Sequence, residues 1–190
     1  MDEIEDLEEG MRIKVSISQL DSKIEKQIEK KEEIPNPKIS KPSVFLTHTW
    51  VKDELNRDNH ARVGIVNKLL KAQGFQTWFD EDKMVGHIDN MMAKGIDNST
   101  IILVFVTKVY MEKVASEGHD NCKGEFTYAT NRNKKMIPIV MESCMRDTKK
   151  WGGPLGLRLG GHLYVDMSET GSENDIKGLI EQLNLTWAKK

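Results

Sequence analysis

Cysteine is scarce in this chain, with two in 190 residues, Cys122 and Cys144. So few exclude a disulfide framework and suit a reducing compartment. Long hydrophobic runs are missing too, and none approaches the roughly 18 residues that a membrane-spanning helix needs. The opening residues, MDEIEDLEEG, are acidic and lack the basic-then-apolar pattern of a signal peptide. Neither sign of charge dominates: the formal net charge is -2 and the pI about 6.2, which leaves no basic footprint for nucleic acid. The expectation is a cytoplasmic protein with no membrane span and no nucleic-acid partner. Aromatic residues are absent from residues 1–41, where charged residues prevail. Proline is rare, yet three of the five prolines crowd into IPNPKISKP at 34–42, a stretch that cannot continue a helix.

What remains is ordered by hydrophobic patterning. Residues 1–41 read as a charged leader and linker. Within it Ile17, Leu20, Ile24 and Ile28 follow helical spacing, compatible with a solvated helix, a disordered leader or a stripe for a partner helix. The globular domain is expected over 42–188. TIILVFV (100–106) is apolar without alternation and rich in β-branched residues, as a strand buried on both faces of a parallel sheet must be. About 25 residues of crossover, carrying a helix with Cys122, Glu125 and Phe126, lead to a second such strand, MIPIVM (136–141). VFLTHTW (44–50), FQTWF (75–79) and HLYVDM (162–167) supply three more strands. Helical spacing of Val63, Val66, Leu69 and Leu70, of Ile88, Met91, Met92 and Ile96, and of Ile176, Leu179, Ile180 and Leu183 places helices between and after them. Ser172 and Asp175 resemble a capping box for the last helix. The glycine-rich stretch 152–161 lacks the phosphate-loop pattern and reads as a turn-rich connection. The order predicts a doubly wound α/β fold with a parallel sheet of five strands.

In such sheets ligands gather outside the carboxyl ends of the strands. His48 falls there, as a ligand contact or as a capping or half-buried histidine. Trp78 reads as core. His119 and Cys122 are spaced as a possible metal pair, but no second pair stands near them in sequence. Cys122 has no identifiable base and reads as structural. Glu125 by itself would be a solvated helix carboxylate.

Five stretches in order, VFLTHTW, GFQTWFDEDKMVGHI, GIDNSTIILVFVTKVY, CKGEF and NKKMIPIVME, resemble the Toll/interleukin-1 receptor (TIR) domain family over about 42–188. The resemblance implies a flavodoxin-like fold. It also implies self-association through the loop Asp80–Ile88, with Asp80, Met84 and Gly86 gating a pocket, and contacts with further copies or with other TIR proteins. Some members scaffold signalling complexes, as in innate immunity, and others hydrolyse NAD+ at the nicotinamide–ribose bond through a glutamate before the fourth strand. The motif C-x-x-E at Cys122–Glu125 puts Glu125 at that position, with NAD+ as substrate and no resident cofactor. Many hydrolysing members carry a tryptophan where Asn121 stands. His48, Thr49 and Trp50, at the carboxyl end of the first strand, are the further substrate contacts that the resemblance implies, and Trp50 offers a stacking surface for the substrate in place of that tryptophan. Glu125 is expected to be partly exposed.

Overall fold

The computed structural model describes residues 41–79, 88–169 and 173–188. The chain separates into two units, Met1–Ser40 and Lys41–Lys190, and all described residues belong to the second. The leader's apolar stripe, its proline linker up to residue 40, the loop residues Asp80, Met84 and Gly86, and the Ser172/Asp175 cap therefore lie outside the described residues or their side chains.

The elements follow one another as β1 (Ser43–Thr47), α1 (Asn59–Ala72), β2 (Gln76–Trp78), α2 (Ile88–Asn98), β3 (Ile101–Val106), α3 (Lys108–Ala115), α4 (Asn121–Asn131), β4 (Lys135–Val140), α5 (Gly153–Leu159), β5 (Val165–Asp166) and α6 (Glu173–Ala188). The five strands are all parallel, in the order β2-β1-β3-β4-β5. This is the flavodoxin-like order, and the chain reverses direction across the sheet between β1 and β3, which opens a crevice at their carboxyl ends.

Alternate residues of each strand feed opposite cores, as the two-residue period requires. Val44, Leu46, Ile101, Leu103 and Phe105 face α1 (Val63, Val66, Leu70) and α6 (Leu179, Leu183). Phe45, Ile102, Val104 and Val106 face Ile96 of α2, Tyr110 and Val114 of α3, Phe126 and Ala129 of α4, and Leu155 and Leu159 of α5. All six residues of β3 are buried, as its unbroken apolar run predicts. Pro138 is compatible with β4 because β5 pairs only with Ile139 and Val140, so beside the proline β4 is locally an edge.

Four expectations are corrected. The first strand ends at Thr47, so His48, Thr49 and Trp50 belong to the loop beyond it. The crossover after β3 holds two helices rather than one, interrupted at 116–120. There the Ser116 hydroxyl donates to the Lys113 carbonyl (2.8 Å), and Asp120 caps α4 by accepting from the Cys122 amide (2.8 Å). The glycine-rich stretch forms α5, with Pro154 in its first turn. Gly156 is required in α5, because a Cβ there would stand 1.9 Å from the Trp151 carbonyl oxygen. The last strand shrinks to Val165–Asp166.

Candidate functional site

Glu125 lies on α4 with Cys122 and Phe126, on the side turned to the sheet, and is 6% exposed rather than partly exposed. A buried carboxylate needs donors. Thr47, the last residue of β1, donates its hydroxyl to Glu125 Oε2 at 2.6 Å. A threonine hydroxyl has one hydrogen, so the Tyr110 hydroxyl, 3.0 Å away, must be donating to Thr47. Tyr110 on α3 is fully buried, and burial together with the neighbouring Cys122 pushes its pKa well up, which keeps it a donor. Tyr110, Thr47 and Glu125 thus form one directed chain that fastens α3, β1 and α4 to one another. Sequence reasoning missed Thr47 and Tyr110, since partners 78 and 63 residues apart leave no local spacing.

Glu125 lines a cavity of about 370 Å³ together with His48, Trp50, Lys113, His119, Asp120, Asn121 and Cys122. It opens at the carboxyl ends of the strands, where the topology predicts ligands. Of the expected site residues, Glu125, His48 and Trp50 come together. Thr49 is buried behind them, its carbonyl and hydroxyl bonded by the Asn59 amide (2.9 and 3.4 Å). Asp80, Met84 and Gly86 are outside the described residues. Asn121 also lines the cavity, and exposed Trp50 supplies an indole there.

On the rim, Lys113 and Asp120 pair at 2.9 Å. The bond raises the lysine's pKa. Burial raises that of Asp120, but the Lys113 contact and the Cys122 amide outweigh it and hold the carboxyl below its usual range. The Cys122 thiol donates to the His48 carbonyl at 3.4 Å. Burial, then the negative Glu125 and Asp120, push it far above the range in which a thiolate forms, so it is structural, as the sequence implied. His119, its supposed metal partner, lines the same cavity. Among the described residues no three His, Cys, Asp or Glu side chains converge as metal ligands. Trp78 packs on Gly95 of α2 and on the core facing α2–α5, the core role expected of it.

The loop after Trp50 is held by charge. Asp53, buried, accepts from Arg57 Nε (2.6 Å), Arg62 Nη1 (2.7 Å) and the amides of Leu55 and Arg57 (3.0 and 2.9 Å). Arg62 also donates to the carbonyls of Met141 and Met167, at the ends of β4 and β5 (3.0 and 2.6 Å). Buried Glu142 accepts from the amides of Glu54 (2.9 Å) and Lys108 (2.6 Å). The loop that carries Trp50 is therefore riveted across the sheet's carboxyl edge.

Comparison with known proteins bears on this arrangement. A family model described as the TIR domain matches residues 44–183. Similar solved structures include the TIR domain of the Toll-related receptor TRR-2 from Hydra magnipapillata, at 16% identity over 74% of this chain and 97% of that one (TM-score 0.50). A prokaryotic SEFIR domain is 22% identical over 77% and 99% (TM-score 0.52). The TIR domains of the activated Roq1 resistosome, which directly recognizes the pathogen effector XopQ, are 17% identical over 75% and 99% (TM-score 0.53). No curated protein sequence matches. At these identities the solved structures speak for the fold alone. Among the described residues no helix is long and apolar enough to cross a membrane. The model match spans well over half of the chain, and on that ground the chain belongs to the TIR-domain family of signalling modules.

Proposed function

We propose that this protein is a self-associating TIR signalling protein that hydrolyses NAD+ at the nicotinamide–ribose bond, with Glu125 as the catalytic carboxylate. One observation carries the reading: Glu125 is fixed by Thr47 in the wall of a cavity that also presents an indole, at the sheet edge where ligands bind. The glycosidic C–N bond breaks with its electron pair going to the positively charged pyridinium, so nicotinamide leaves neutral without a proton donor. The ribose is left as an oxocarbenium-like cation, which a preorganised carboxylate stabilises. Water then adds to that carbon, giving ADP-ribose and one proton. Trp50 supports the reading by offering a face for a planar ring, a contact worth ~1–3 kcal/mol per base. Trp50→Ala is expected to weaken NAD+ binding.

The test is nicotinamide release by purified protein at high concentration with a crowding agent, wild type beside Glu125→Ala. Release from wild type alone supports the proposal, and equal release from both moves the site elsewhere. The second reading is a TIR adaptor that acts only through contacts with other TIR domains. It is favoured by the burial of Glu125 and its bond to Thr47, which are also what a purely structural carboxylate would have. Absence of release from a sample that does self-associate would select it.

A further inference from the structure

Four rings stand nearly parallel beside the Glu125 cavity. Trp50 stacks on His60 with centroids 3.8 Å apart, and His60 stacks with Phe79 at 5.0 Å. His48 lies 5.0 Å from His60 and 5.2 Å from Phe79. Phe79 and His48 are buried, Phe79 in the core beneath α1, whereas Trp50 is exposed and lines the cavity. The stack therefore runs from the hydrophobic core to the site, with His60 directly under the indole.

The bonds between the imidazoles fix their tautomers. The Leu46 carbonyl can only accept, so His48 Nδ1, 3.1 Å away, carries a hydrogen. Neutral His48 then presents a lone pair at Nε2. His60 Nδ1 lies 2.7 Å from that atom and must be the donor. The direction is set along the whole chain: His60 donates to His48, and His48 donates to the β1 backbone. His60 is the second residue of α1, next to Asn59, whose side-chain amide holds Thr49. Its imidazole is thus oriented by a helix start on one side and by a strand end on the other.

We infer that His60 is a positioning residue for the cavity: its bond to His48 fixes the imidazole, and the imidazole holds Trp50 as the wall on which a planar heteroaromatic group of the substrate stacks. The bond to His48 opposes rotation of the His60 ring about its side-chain torsions, and the ring gives the indole a parallel face to rest on. The inference rests on reading the cavity as an NAD+ site, but its first test does not.

In ligand-free full-length protein labelled with nitrogen-15 histidine, at a pH where both rings are neutral, two-bond nitrogen–proton correlations report the tautomers. Protonated Nδ1 atoms on both His60 and His48 and an unprotonated Nε2 on His48 are expected. An unprotonated Nδ1 on His60 overturns the inference. Variants then separate bond from ring: His60→Phe keeps a ring without the donor, His60→Asn keeps a donor near Nδ1 without the ring, and His60→Ala removes both. The Trp50 indole N–H resonance, assigned through Trp50→Phe, should move in all three. If it stays in place in His60→Phe, the bond does no positioning, and if it stays in His60→Ala, neither does the ring. With NAD+, His60→Phe should raise KM about tenfold, within the range of a lost stacking contact, while kcat falls much less. A fall in kcat with KM unchanged would overturn the positioning role. Should wild type fail to turn over NAD+, the tautomer and indole measurements still decide the inference.

Discussion

A carboxylate 6% exposed on a helix survives only if its oxygens are bonded, and at Glu125 the bond comes from a chain of hydroxyls. Graded losses follow from the order of that chain. Thr47→Val removes the β1 hydroxyl that donates to Glu125 and takes away the acceptor that Tyr110 meets at 3.0 Å. A bond to a charged group is worth about 1.5–3 kcal/mol, and a stability loss of that size is expected from denaturant midpoints. Tyr110→Phe removes only the donor behind Thr47 and should cost about 1 kcal/mol. Under the proposed chemistry nicotinamide release should fall in the same order, Thr47→Val below Tyr110→Phe, because only the first change touches the carboxylate's own partner. Equal rates in both variants and wild type would mean that the bond to Thr47 does not orient Glu125 for turnover. The sequence placed Glu125 on the helix before the fourth strand yet misjudged its exposure, for a physical reason. The pattern of Cys122 and Phe126 marks which side of α4 is buried, but whether a neighbouring carboxylate turns inward depends on a donor contributed by another element.

At the scale of elements, the loop between β1 and α1 is kept in place by Asp53 and the two arginines. Burial alone would raise the Asp53 pKa, but the Arg57 amide and guanidinium and the Leu55 amide prevail and hold it below the ordinary carboxylate value. A depressed folded pKa stabilises the fold above the unfolded value of about 3.9 and ceases to do so as pH falls through the folded one. Wild type should therefore lose stability on acidification below about pH 4. Asp53→Asn should start less stable by about 1.5–3 kcal/mol at neutral pH and show a flatter acid limb. Parallel acid limbs would remove Asp53 from the account. A second element-scale prediction concerns α5, where Gly156→Ala would drive a methyl into the Trp151 carbonyl. Backbone cannot yield as a flexible side chain does, and a loss of about 1–3 kcal/mol is expected, read as a lower thermal midpoint. Here the sequence was hardest to read. Leu155 and Leu159 are α5's buried residues, one turn apart, and the glycines between and around them look like turns until Trp151 explains why one of them must be small. β3 stood at the other extreme, because a strand covered on both faces needs no partner to be recognised.

For the molecule as a whole, the parallel sheet of five strands was legible because each parallel crossover demands a helix, and the helical stripes fell in gaps between strands and after the last one. The cavity was legible only in outline: chain order puts His48, Trp50 and Glu125 at one sheet edge, whereas the His60–Trp50 stack and the Thr47–Tyr110 chain arise from side chains that meet only after folding. The proposed dependence on self-association makes the last prediction. If one copy held a complete, competent site, nicotinamide release per mole of protein would not vary with protein concentration. If contact with a second copy closes or steadies the cavity, release per mole should climb with concentration and level off once assembly, followed by sedimentation velocity on the same samples, is complete. Glu125→Ala should assemble along the same curve while releasing nothing, since its side chain is buried within one copy and is not available for contacts between copies. Constant release per mole across the assembly transition would separate catalysis from association and assign the activity to the single domain.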